Sequence, residues 1–260
     1  CYRNGMNSIA SLLSHVLTAV TVSTAAVLAT TKATAATPPD YTEYGRLLAT
    51  YVEPTGVDYA AWAANEGDVN ALDRVLETFA GVNAEGLEPD ARMAFYINLY
   101  NAGMLQAVFE AYPIDSVTTF LPDFGIFKKP FILQGGRKLS LDAVEKGILL
   151  ADYPDEPRIH FAVNCASRSC PPLRDEPYTA AKLEAQLEAQ TRQFLNSEHG
   201  VRLALRERKV YVSALFNWYA DDFPGDSPLA YIQPYYEGRL PRRLEVAFMD
   251  YDWSLNTPQG

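Results

Sequence analysis

A chain of 260 residues, 48% hydrophobic and 12% aromatic, has enough apolar surface to fill a core and is not a disordered segment. Acidic residues number 32 against 22 basic ones, giving a net charge of −10 at pH 7. With no basic cluster to set against that charge, nucleic acid and anionic membrane are not expected as partners.

Residues 1–36 stand apart from the rest. They hold no acid, run apolar and small from Ile9 to Ala29, and end in Ala33-Thr34-Ala35, the small-x-small form that signal peptidase cuts. Ser14, His15, Thr18, Thr21, Ser23 and Thr24 interrupt the run, which argues against a membrane anchor. Cys1 precedes the apolar stretch, where a lipoprotein cysteine would follow it. The expectation is a signal peptide starting at Met6 and cleaved after Ala35 or Ala36. Residues 37–260 would then be a single exported domain, periplasmic or extracellular, with no membrane insertion after cleavage. Its 20 basic and 32 acidic residues give −12.

Past the short linker at 37–40, Tyr44, Leu47, Leu48 and Tyr51 recur at helical spacing, as do Leu72, Val75, Leu76 and Phe79. Pro54-Thr55-Gly56 separates these helices. A third is predicted from Pro89-Asp90 to about Ala111, where Tyr112-Pro113 stops it. Gly135-Gly136 marks a hairpin, and Ser140 caps a helix over roughly Leu141 to Leu150. Arg158 to Asn164 reads as a buried strand, and Thr179 to Leu195 as an amphipathic helix. A hairpin follows at residues 201–213, then a short helix at Leu215–Phe223 and a closing strand at 244–252. Helices early and strands late predict an α+β domain, its helices packed on a mixed or antiparallel sheet.

Three segments carry polar groups where a core would want apolar ones. Asn98 and Asn101 lie one turn apart on an otherwise apolar helix, either bridging neighbouring backbone or lining a polar cavity that binds substrate. Glu145 sits beside the apolar stripe of Leu141, Val144 and Ile148, where it snorkels to water or pairs with a cation or histidine. The third segment is RIHFAVNCASRSCPP at 158–172. His160 within it could deprotonate Cys165 or Cys170 for nucleophilic attack, oriented by Glu145 or Asn98. On a continuous strand Cys165 and His160 would face opposite ways, which favours Cys170. Alternatively a Cys165–Cys170 disulfide pins the loop and His160 is a core histidine. Two thiols and one nearby histidine fall short of a zinc site, so no metal or cofactor is expected. His199, at a helix end before Gly200, reads as structural.

The segments AFYINLYNA, KLSLDAVEKGIL, IHFAVNCASRSCPPLR, NWYADDF and YDWSLN, with VDYAAW at 57–62, resemble the domain of unknown function 547 family. Members of that family resemble papain-like thiol hydrolases in a permuted order. The resemblance implies a catalytic group of Glu145, His160 and Cys165 or Cys170. Many relatives read IEH where this chain has Val144-Glu145-Lys146. The expected function is a thiol-dependent hydrolase or acyl transferase on amide or ester bonds of a small molecule or peptide. The alternative is a non-catalytic binding or scaffold domain of the cell envelope, its two cysteines bridged.

Overall fold

Four buried side chains at helical spacing, Tyr44, Leu47, Leu48 and Tyr51, set the inner face of α1 (Thr42–Tyr51). The computed structural model describes residues 35–120, 123–241 and 243–258. The signal segment expected over residues 1–36 and its start at Met6 lie outside the described residues, apart from Ala35 and Ala36.

After α1 the chain turns through β1 (Val52–Glu53) and β2 (Gly56–Val57), an antiparallel pair. Gly56 is required by close approach, because a Cβ there would lie 2.1 Å from the carbonyl oxygen of Asn256. Helix α2 (Tyr59–Ala63) is capped by Asp58, which accepts from the Ala61 N–H at 2.9 Å. Helix α3 (Glu66–Ala80) is capped by Asn65 and buries Leu72, Val75, Leu76 and Phe79. Helix α4 (Pro89–Ala111) begins on a proline that supplies no N–H where none is needed. Every residue from Met93 to Leu105 is buried, so α4 is the central rod of the main core, not a surface helix.

Two short helices follow, α5 (Val117–Phe120) and α6 (Gly125–Lys128), then the hairpin β3 (Ile132–Gln134) and β4 (Arg137–Leu139). Gly135 and Gly136 make its turn with φ of +56° and +75°. Ser140 caps α7 (Leu141–Val144) by accepting from the Ala143 N–H at 3.0 Å. The uninterrupted helix expected here is instead split by a π turn at Glu145–Leu149 before α8 (Leu150–Asp152). Such turns widen a helix locally and recur at functional sites.

The strand expected over Arg158–Asn164 does not form. Its residues build the single helical turn α9 (Ile159–Ala162), with the Phe161 N–H on the Arg158 carbonyl and the Val163 N–H on the Ile159 carbonyl. A short apolar run is ambiguous in sequence because burial on all sides erases periodicity. Here Ile159, Ala162 and Val163 enter the main core while Phe161 enters a second one.

That second core is built by α10 (Leu183–Leu195), β5 (Val201–Ala204), β6 (Lys209–Val212), α11 (Leu215–Trp218), α12 (Pro228–Ile232) and β7 (Glu245–Phe248). Strand β5 runs antiparallel to β6, and β7 runs parallel to it. The fold is therefore α+β, with helices predominating and small mixed or antiparallel sheets. The closing strand is shorter than expected and Phe248 is 43% exposed, whereas Leu255 is buried in the main core. No helix among the described residues is long and apolar enough to cross a membrane.

Candidate active site

A cavity of about 530 Å³ takes its lining from α4, α6, α7, α9, the loop after α9, α11 and the C-terminal segment. Glu145, His160, Cys165 and Cys170 all line it, although they come from three separate stretches of structure.

The loop that carries the cysteines lies outside any helix or strand and is held by asparagine side chains and by backbone bonds to the C-terminal segment. Asn101 reaches across from α4, donating to the Ala162 carbonyl at 3.0 Å and accepting from the Asn164 N–H at 2.8 Å. Asn164 accepts from the Ala166 N–H at 2.9 Å and donates to the Pro171 carbonyl at 2.7 Å. Between the cysteines, Ala166 adopts φ +56°, a left-handed conformation that costs a residue with a Cβ roughly 1–2 kcal/mol. The C-terminal segment fastens the outer side. The Arg168 N–H bonds the Ser254 carbonyl at 2.8 Å, and the Asn256 N–H bonds the Ala166 carbonyl at 3.1 Å.

Asn98 and Asn101 do not line the cavity. Asn98 exchanges two hydrogen bonds with the Tyr178 backbone, at 2.7 and 2.9 Å, so its amide is spent as fully as that of Asn101. The substrate-binding role expected for this pair is not supported, since both amides face backbone and neither reaches the cavity. The two asparagines pin two loops to one rigid helix.

Both thiols are free. Cys165 is the more accessible, and its Sγ lies 3.0 Å from the Ser167 hydroxyl and 3.2 Å from the Tyr251 hydroxyl. Burial alone would raise this thiol, but hydrogen bonds from the Cys170 thiol, Ser167 and Tyr251 outweigh it and hold it below the usual thiol range. Cys170 lies behind, its sulfur accepting from the Cys165 N–H at 2.9 Å. Burial and the neighbouring Cys165 push the Cys170 thiol well up. The parity argument for Cys170 as nucleophile has no strand to act on, because the segment is a helical turn and a loop.

His160 is buried, and burial lowers its pKa against the opposing pull of Asp222. Its Nε2 lies 2.8 Å from the Asp222 carboxylate. A carboxylate can only accept, so Nε2 carries the hydrogen and Nδ1 is left as the acceptor. No hydrogen bond joins the ring to either sulfur. Glu145 does not orient this imidazole. Its Oε1 accepts from the Tyr219 hydroxyl at 2.8 Å, and the Tyr219 ring packs on His160 with centroids 4.1 Å apart. Burial raises the Glu145 carboxyl, with Tyr219 offsetting part of that effect.

Asp222, Tyr219, Ser167 and Tyr251 are the site residues that sequence reasoning missed. The signal for two of them was legible in NWYADDF, where acidic residues sit among aromatics. Among the described residues no group of three or more His, Cys, Asp or Glu side chains is gathered as metal ligands would be.

No curated protein and no solved structure matches the chain, and the expected likeness to papain-like hydrolases is not shown. One family model does match, from residue 84 to 195, a stretch that includes both asparagines of α4, Glu145, His160 and both thiols. Across those residues the chain matches the family described as Protein of unknown function, DUF547.

Proposed function

We propose that this chain is an exported thiol-dependent hydrolase or acyl transferase acting on amide or ester bonds, with Cys165 as nucleophile. The observation that carries the reading is the convergence on one cavity of an accessible, donor-surrounded thiol and a neutral histidine whose far nitrogen is tied to a carboxylate. Isolated core histidines and structural cysteines do not need that company.

In this reading the Cys165 sulfur attacks the substrate carbonyl and its proton passes to Nδ1 of His160. The tetrahedral intermediate collapses to a thioester as the imidazolium returns the proton to the leaving amine or alcohol. Water, or an acceptor nucleophile, then attacks the thioester and frees the thiol. The Ser167 and Tyr251 hydroxyls steady the sulfur's charge, and Asp222 holds the tautomer that leaves Nδ1 basic. Hydrogen bonds between such groups tighten when substrate arrives, so the absence of one between His160 and the sulfur does not weigh against the pair. Export is supported by the acid-free, small-residue stretch at 1–36, and a mature N-terminus at Ala36 or Thr37 would bear it out.

Alkylation by iodoacetamide at pH 6 tests the chemistry. Cys165→Ser should abolish labelling, Cys170→Ser should not, and His160→Ala should slow it by at least about tenfold. Asp222→Asn should also be slow, because an amide can donate to Nε2 and move the hydrogen to Nδ1. Equal, slow labelling of all variants would sink the enzyme reading and leave a binding domain.

A further inference from the structure

Folding leaves five large hydrophobic side chains exposed among the described residues, and two of them, Phe124 and Trp218, lie on the rim of the thiol cavity. They are not isolated. Phe124 meets Trp253 edge to face, with centroids 4.9 Å apart, and Trp218 lies nearly parallel to Trp253 at 5.8 Å and 18°. Tyr251 packs on both tryptophans, at 4.8 and 4.5 Å, while its hydroxyl touches the Cys165 sulfur at 3.2 Å. A continuous aromatic wall therefore runs from the thiol to the mouth of the cavity.

Burial does not account for this wall, since Trp218 is 47% and Phe124 43% exposed. Phe124 is moreover held with φ +57°, next to Asp123 at +58°. Left-handed backbone at a bulky residue is uncommon, and here it sets the ring at the cavity rim. The faces that remain open are flat π surfaces, which favour another flat ring in offset or edge contact over an aliphatic chain of equal area.

Resting on the thiol reading above, we infer that the site selects substrates carrying a planar aromatic group on the acyl side of the bond that Cys165 attacks. The wall begins at the sulfur, so the ring would lie within one or two bonds of the carbonyl. The cavity, at about 530 Å³, accommodates such an acyl group together with the atoms of the leaving group.

Two measurements test this separately from the thiol chemistry. In the first, calorimetry on Cys165→Ala compares N-benzoylglycinamide with N-hexanoylglycinamide. The benzoyl compound should bind about tenfold more tightly, a factor in keeping with ring stacking, and the ratio should fall to near one in Phe124→Leu/Trp218→Leu, whose melting temperature reports that it is folded. In the second, phenacyl chloride and 1-chlorooctan-2-one, which carry the ring or the alkyl chain directly on the carbonyl, label wild-type Cys165, with rates normalised to free cysteine, and the same preference is expected. Labelling without an aromatic preference, or a preference untouched by the double variant, would overturn the inference while leaving the thiol reading intact. Tighter benzoyl binding with an inert thiol would overturn the thiol reading, and the substrate inference with it, and leave an aromatic-binding cavity.

Discussion

The helices α1, α3 and α4 and the cysteine loop with its C-terminal brace both pack on the main core, but they are held by different forces. The helices rest on apolar burial. Tyr44, Leu47, Leu72, Phe79, Phe95 and Ile97 are all nearly inaccessible, and each full burial contributes roughly 1.5–3 kcal/mol. Residues 163–170 have no regular structure and are fixed by amide side chains, Asn101 and Asn164 above all. The first region can lose one contact and keep its shape. The second draws its geometry from a few directional bonds, and this is where the thiols sit. A scaffold built from burial and a site built from hydrogen bonds should respond to mutation in different observables.

The largest effect should fall on the scaffold. Phe95→Ala empties a fully buried ring site on α4 and should cost about 3–5 kcal/mol in chemical denaturation. A loss under 1 kcal/mol would mean that the core is held otherwise. Asn101→Ala comes next, leaving the Asn164 N–H and the Ala162 carbonyl unpartnered, at about 1–3 kcal/mol. Its sharper signature should be thiol reactivity, with labelling of Cys165 altered out of proportion to the melting temperature. If reactivity merely tracked stability, the contrast between the two regions would collapse.

The dependence on pH has two limbs. The Glu145 carboxyl is raised in the folded chain, so its contribution is present below its ordinary value of 4.5 and is lost as pH rises through the raised one. His160 is lowered, so its contribution is present above 6.5 and is lost as pH falls through its lowered value. Glu145→Gln should therefore raise the melting temperature at neutral pH by a few degrees, the shift that about 1 kcal/mol produces in a domain of this size. His160→Gln should flatten the acid limb alone. A thermal scan from pH 4 to 9 in which neither variant changes the profile would remove both groups from the linkage. The smallest effect belongs to Phe248→Ser, at no more than about 0.5 kcal/mol, because that ring is already half in water.

What the sequence determined follows from periodicity. The faces of α1 and α3, the bounds of α4, the Gly135-Gly136 hairpin and the Ser140 cap were legible, because each depends on residues close along the chain. Polar residues in apolar segments picked out Glu145, His160 and the two thiols, the family resemblance implied the same group, and these do share one cavity. Three features required the tertiary structure. The helical turn at His160 depends on two cores pressing on one apolar run, and no local spacing encodes that. The partner of His160 is Asp222, sixty-two residues away, and not Glu145, because the second core folds α11 and the residues after it back over the imidazole. The distinction between the thiols depends on Ser167 and Tyr251, the latter carried in by a C-terminal segment that bonds backbone to backbone with the loop. Local sequence sets which face of a helix is apolar. Which side chains meet across the cavity is set by how distant segments pack, and a directional hydrogen bond forms only once that packing is fixed.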